Sequence, residues 1–77
     1  MNNSITDVMI HTRTHLSEVQ FANLREQVYA DHGVVSLSRN VHTPKFLMVI
    51  YNAAKTSAGS ILKSVRKQGC DATLIGI

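Results

Sequence analysis

The order in which hydrophobic spacing changes along this chain constrains its fold more than any single motif. Residues 7 to 13, DVMIHTR, alternate, with Val8, Ile10 and Thr12 on one side and Met9, His11 and Arg13 on the other. That period of two predicts a strand. In SEVQFANLREQVYADHG the period lengthens: Phe21, Leu24 and Val28, with Ala22 at their margin, recur at helical spacing. Ser17 and Gln20 at its start have the spacing of a capping box, and Gly33 is the expected stop. Residues 34 to 41, VVSLSRNV, are rich in β-branched side chains and predict a second strand. HTP, 42 to 44, marks a turn, and KFLMVIY, 45 to 51, predicts a third strand that is apolar on both faces. A second helix follows in SAGSILKSVRKQG. Ile61, Leu62 and Val65 form its apolar face, Ser57 or Thr56 its cap and Gly69 its stop. Lys63, Arg66 and Lys67 suit its negative end. DATLIGI, 71 to 77, predicts the last strand.

The resulting order is βαββαβ. With links this short it predicts an α+β, ferredoxin-like sandwich: a four-stranded antiparallel sheet with both helices on one face. The first and third strands should be central. A chain of 77 residues makes one domain, 1–77, with 1–6 expected as a flexible N-terminus. A 44% hydrophobic content with four Gly and one Pro argues for a globular chain. No apolar run approaches the length of a membrane span. The opening MNNSITD lacks the basic and apolar regions of a signal peptide. The single cysteine, Cys70, has no internal disulfide partner, and the expected compartment is the cytoplasm.

Three stretches, HGV at 32 to 34, MVIYN at 48 to 52 and GCDATLIG at 69 to 76, resemble the heavy-metal-associated domain of copper chaperones and metal-transporting ATPases. The resemblance spans nearly the whole chain. The last stretch is similar to that family's closing Gly-Tyr-Asp-Ala-x-Leu-Ile-Gly, with Cys70 at the Tyr position. The family's metal motif is Met-x-Cys-x-x-Cys before the first helix. Counting back from Gly33 puts His15 at the Met position, Ser17 at the first Cys and Gln20 at the second. Thiolates select soft metals, and a hydroxyl and an amide do not replace them. The resemblance therefore implies the fold without the family's Cys pair, and leaves Ser17 and Gln20 as a helix cap. It also implies protein docking through residues 13 to 24.

The remaining candidates for a metal or haem site are His11, His15, Cys70, Met9 and Met48. In the family's fold the loop of Cys70 lies beside the metal loop, so His15 and Cys70 would make a rebuilt soft-metal site. The plainer reading has Cys70 as a small packing residue and His15 in solvent. If the first strand reached residue 15, period-two alternation would put His11 and His15 on one side. Met9, His11 and Met48 would meet on the uncovered side of the sheet, where imidazole and thioether suit copper or haem iron; zinc is the further cofactor candidate for the chain. Phe46, Met48, Ile50, Ile75 and Ile77 share that side, and Leu47, Val49 and Tyr51 face the helices. So large an apolar patch implies a protein partner or a homodimer through the open face.

Nucleic acid is disfavoured. The net charge is only +3, Arg13, Arg39, Lys45, Lys63, Arg66 and Lys67 are dispersed, and Phe46 is the sole stacking platform. Catalysis has no support either, since no acid pair or nucleophile–base arrangement is fixed by the pattern. The expected function is a small binding module that takes a soft metal or haem at a rebuilt site. A ligand-free regulatory homodimer is the alternative.

Overall fold

The structure, a computed structural model, describes residues 4–75. Its elements run β1 (Ile5–Thr12), α1 (Glu18–Tyr29), β2 (Val34–Arg39), β3 (Phe46–Asn52), α2 (Ala58–Lys67) and β4 (Ala72–Ile75). They form one four-stranded sheet in the order β2-β3-β1-β4, with every pairing antiparallel. The first and third strands are central, as the sequence order predicts.

Alternation in β1 and β3 decides which face is covered. Val8, Ile10 and Thr12 are buried, as are Leu47, Val49 and Tyr51 of β3. All but Thr12 meet Leu24 and Val28 of α1 and Ile61 and Val65 of α2 in one core cluster. Each apolar side chain buried this way contributes about 1.5–3 kcal/mol of transfer free energy. Among the described residues Thr12 is the one buried polar side chain; its hydroxyl lies 3.0 Å from the carbonyl of Thr14 and 3.3 Å from that of Lys45.

Several boundaries differ from the periodicity. Ile5 and Thr6, which the sequence places in a flexible N-terminus, pair with Asn52 and Tyr51 in the sheet. Residues 1–3 lie outside the described residues, as do Gly76 and Ile77. Ala22 is exposed, because the helix turns it past the sheet while Leu24 and Val28 point inward. β2 stops at Arg39, leaving Val41 exposed in the turn, and a bulge between Val34 and Ser36 turns Val35 outward.

α1 ends at Tyr29, four residues before Gly33. Asp31 stops it. One of its carboxylate oxygens accepts from Gly33 N at 2.9 Å, the other from the Thr56 hydroxyl at 2.6 Å. Gly33 O then accepts from Asn52 N at 2.7 Å. This polar knot ties the end of α1 and the start of β2 to the turn between β3 and α2. Thr56 belongs to it, and Ser57 alone caps α2, accepting from Ser60 N at 3.1 Å. Gly69, with φ +86°, takes the left-handed turn after α2 that favours glycine.

Candidate functional site

The loop between β1 and α1 holds the positions at which the resemblance places a thiolate pair. Here they form a complete capping box. Ser17 Oγ accepts from Gln20 N at 3.1 Å, and Gln20 Oε1 accepts from Ser17 N at 2.8 Å. Neither side chain is free to hold a metal, and neither has the chemistry to replace a thiolate. Ser17→Ala is expected to lower stability by about 1 kcal/mol, read as a shift in the urea midpoint. Gln20→Ala should show a smaller loss in the same direction.

Arg39 fixes this loop from the far side. Its guanidinium donates to Leu16 O at 2.7 Å, stacks 4.5 Å from the centre of the Phe21 ring and reaches Glu18 at 3.7 Å. Leu16 itself is buried beneath the loop. No spacing rule picks out Arg39 for this role, because its partners lie eighteen to twenty-three residues away.

Cys70 sits in the loop between α2 and β4. That loop does adjoin the capping loop: Arg13 N donates to Asp71 O at 2.8 Å, and the two side chains pair at 3.1 Å on an exposed surface. Cys70 is half-buried and packs against the core cluster. Burial raises its thiol pKa above the usual value. Since the thiolate is both nucleophile and ligand, the shift makes it a poor example of either. In the folded chain Cys70 is expected to react with iodoacetamide at pH 7.5 more slowly than after unfolding in urea.

The structure brings His15 to His11. β1 ends at Thr12, so the strand does not carry both, yet the loop folds back until His11 and His15 line one hollow with Thr43, Pro44, Lys45 and Phe46. Its volume is about 440 Å³. The antiparallel pairing explains its makeup. His11 is the register partner of Phe46, so the turn entering β3 lies beside the loop leaving β1. The His11 and Phe46 rings stand 5.0 Å apart at 53°. Among the described residues neither imidazole has a hydrogen-bond or ion-pair partner. Thr43 and Pro44 were legible as a turn in HTP, but only the register shows that they form a wall of this hollow.

The open face of the sheet continues from it. Met9 pairs directly with Met48, and on its other side with Ile75. A second, shallow hollow of about 480 Å³ runs over Met9, Ser38, Phe46, Met48 and Ile50. Met9, Phe46, Met48 and Ile50 are half-buried, and Ile5 and Ile75 are exposed. Phe46 belongs to both hollows, so the apolar face reaches the two histidines. His32 and His42 are exposed and line neither hollow. Among the described residues no group of three or more His, Cys, Asp or Glu side chains is arranged to hold a metal ion. In the same range no helix is long and apolar enough to cross a membrane.

The class defined at this point is the βαββαβ, ferredoxin-like fold of heavy-metal-associated domains, and comparison with solved structures supports it. Oxidised MerP from Ralstonia metallidurans superposes with a TM-score of 0.80 at 15% identity, over 94% of this chain and 99% of that one. The N-terminal domain of a potential copper-translocating P-type ATPase from Bacillus subtilis, in its Cu(I)-loaded state, gives 0.82 at 17% identity, over 94% and 89%. The CsoZ metallochaperone gives 0.74 at 22% identity, over 94% and 99%. At these identities the likeness is one of fold. No protein-family model matches the chain, and no curated protein matches it.

Proposed function

We propose that this chain is a small metal-binding module that carries a soft or borderline metal ion at His11 and His15, away from the loop where the resemblance places a thiolate pair. One observation carries the reading: two imidazoles without hydrogen-bond partners line a single hollow. Neutral imidazole suits copper and zinc. Met9 and Met48 lie next to His11 on the same face and would favour Cu(I) over harder ions. Several proteins sharing the fold are described as copper-binding or metallochaperone domains, and the role proposed here is carriage, not catalysis. Residues 13 to 24, with Val19 exposed on the first turn of α1, would be the surface that meets a partner protein. A lone cysteine is consistent with the reducing cytoplasm.

The test is native mass spectrometry of tag-free protein before and after addition of Cu(I), Zn(II) and hemin. The expected result is stoichiometric uptake of Cu(I) or Zn(II), lost in His11→Ala and in His15→Ala and kept in Cys70→Ser. Uptake that survives both histidine changes and disappears in Cys70→Ser would move the site to the thiol. A mass unchanged by all three additions would remove the metal and haem readings together.

A second reading is a ligand-free homodimer through the open sheet, favoured by the contiguous apolar face of Ile5, Met9, Met48, Ile50 and Ile75. It predicts a dimer mass in chelator-treated protein.

A further inference from the structure

Resting on the reading that His11 and His15 bind metal, we infer that their hollow is half of a Zn(II) centre, completed by the same two histidines of a second copy of this chain.

Zn(II) in a structural site takes four ligands in a tetrahedron. The hollow offers two imidazoles, His11 and His15, and among the described residues no third His, Cys, Asp or Glu joins them. The nearby loop adds nothing, because Ser17 and Gln20 are committed to each other in the helix cap. Cys70 packs on the core, where burial raises its thiol pKa and disfavours the thiolate a metal needs. One chain therefore supplies half a coordination sphere.

A two-fold axis doubles whatever lies on it. In an isologous pair each residue of the contact appears twice, so a metal on the axis receives His11 and His15 from both copies. Two donors become four, which is the number Zn(II) needs. Cu(I) is satisfied by two imidazoles and makes no such demand, so the two metals should give different assemblies.

The position of the hollow fits this occupant. Phe46 lines both the histidine hollow and the shallow hollow over Met9, Met48 and Ile50. A second copy seated at the metal would therefore also cover apolar surface that a lone chain leaves half-exposed in water. Lys45 also lines the hollow, and its charge opposes a bound cation. Its side chain is exposed, on a flexible stem that can turn into solvent.

The experiment is native mass spectrometry with light scattering on tag-free protein, first in EDTA and then with Zn(II) or Cu(I). The expected result is a monomer in EDTA, a dimer holding one Zn(II) per two chains, and a monomer with Cu(I). His15→Ala and His11→Gln should each abolish the Zn(II)-dependent dimer while the far-UV circular dichroism stays unchanged. Lys45→Ala should lower the Zn(II) concentration at which the dimer forms. One Zn(II) in a monomer would overturn the shared centre and leave the two-histidine site standing. No Zn(II) uptake, with Cu(I) still bound at the histidines, would do the same, and no uptake of either metal would overturn both. A dimer that persists in EDTA and in both variants would overturn the requirement for metal and assign the contact to the apolar face alone.

Discussion

Leu47→Ala is expected to destabilise the domain by about 3–5 kcal/mol, the range for a large buried side chain whose site cannot collapse. Leu47 is fully buried on central β3, paired with Ile10 on one side and Arg39 on the other. A backbone held by neighbours on both sides cannot close over the cavity. A chain of 77 residues has a total stability of roughly 4–12 kcal/mol, so the loss is a large share of it. Urea unfolding followed by circular dichroism should show an earlier midpoint at unchanged slope. A loss below about 1 kcal/mol would mean an interior far looser than close packing allows. Met48, one residue along, faces the other way and is half-exposed. Met48→Ala should cost much less in dilute, metal-free protein. An equal cost would show that the open face is covered in solution.

Gly33→Ala is expected to cost about 1–3 kcal/mol through overpacking. Gly33 is buried, and a Cβ there would lie 2.5 Å from Thr56 Cγ2, 2.8 Å from Thr56 Cβ and 3.1 Å from Lys55 Cβ. None of these is the far end of a flexible side chain, so the turn before α2 must move as a body. That movement pulls the Thr56 hydroxyl away from Asp31 and loosens the knot at the end of α1. The glycine is needed for closeness, since its φ is not positive. Thr56→Ser keeps the hydroxyl and removes the nearest methyl group. It should be close to neutral alone and recover part of the loss in the Gly33→Ala background. If the two changes simply add, the clash is not the cause.

Much of this architecture was written in local spacing. Val8, Ile10 and Thr12 alternate in the sequence and are buried in the structure; Ser17 and Gln20 have capping-box spacing and form one. These features depend on neighbours within four residues, which is why the chain displays them openly. What local spacing hid was set by distant partners. Ala22 has helical spacing but no surface to face, and past the end of α1 at Tyr29 Asp31 bonds both to Gly33, two residues on, and to Thr56, twenty-five positions away. The meeting of His11 and His15 is the clearest case. Strand extension would have been its local cause, but β1 ends at Thr12, and the two side chains share a hollow through the loop and the turn that closes against it. The fold-level resemblance pointed to the Ser17 and Gln20 positions and the Cys70 loop, where the side chains are occupied with structural work.

The strand order also has a kinetic consequence. β1 is hydrogen-bonded on one side to β3 and on the other to β4, so Met9–Thr12 wait for partners at residues 72–75. During synthesis β1 emerges before the other strands of this sheet, yet it is not fully paired until β4 has followed. Chain growth at about 5–20 residues per second leaves its edge open for seconds. Pairings this distant in sequence also slow folding, because loop entropy must be overcome before the contact forms. The pause exposes Met9 and Ile10 to any chaperone or neighbouring nascent chain, which makes biogenesis the stage at which this small sheet is most vulnerable to aggregation.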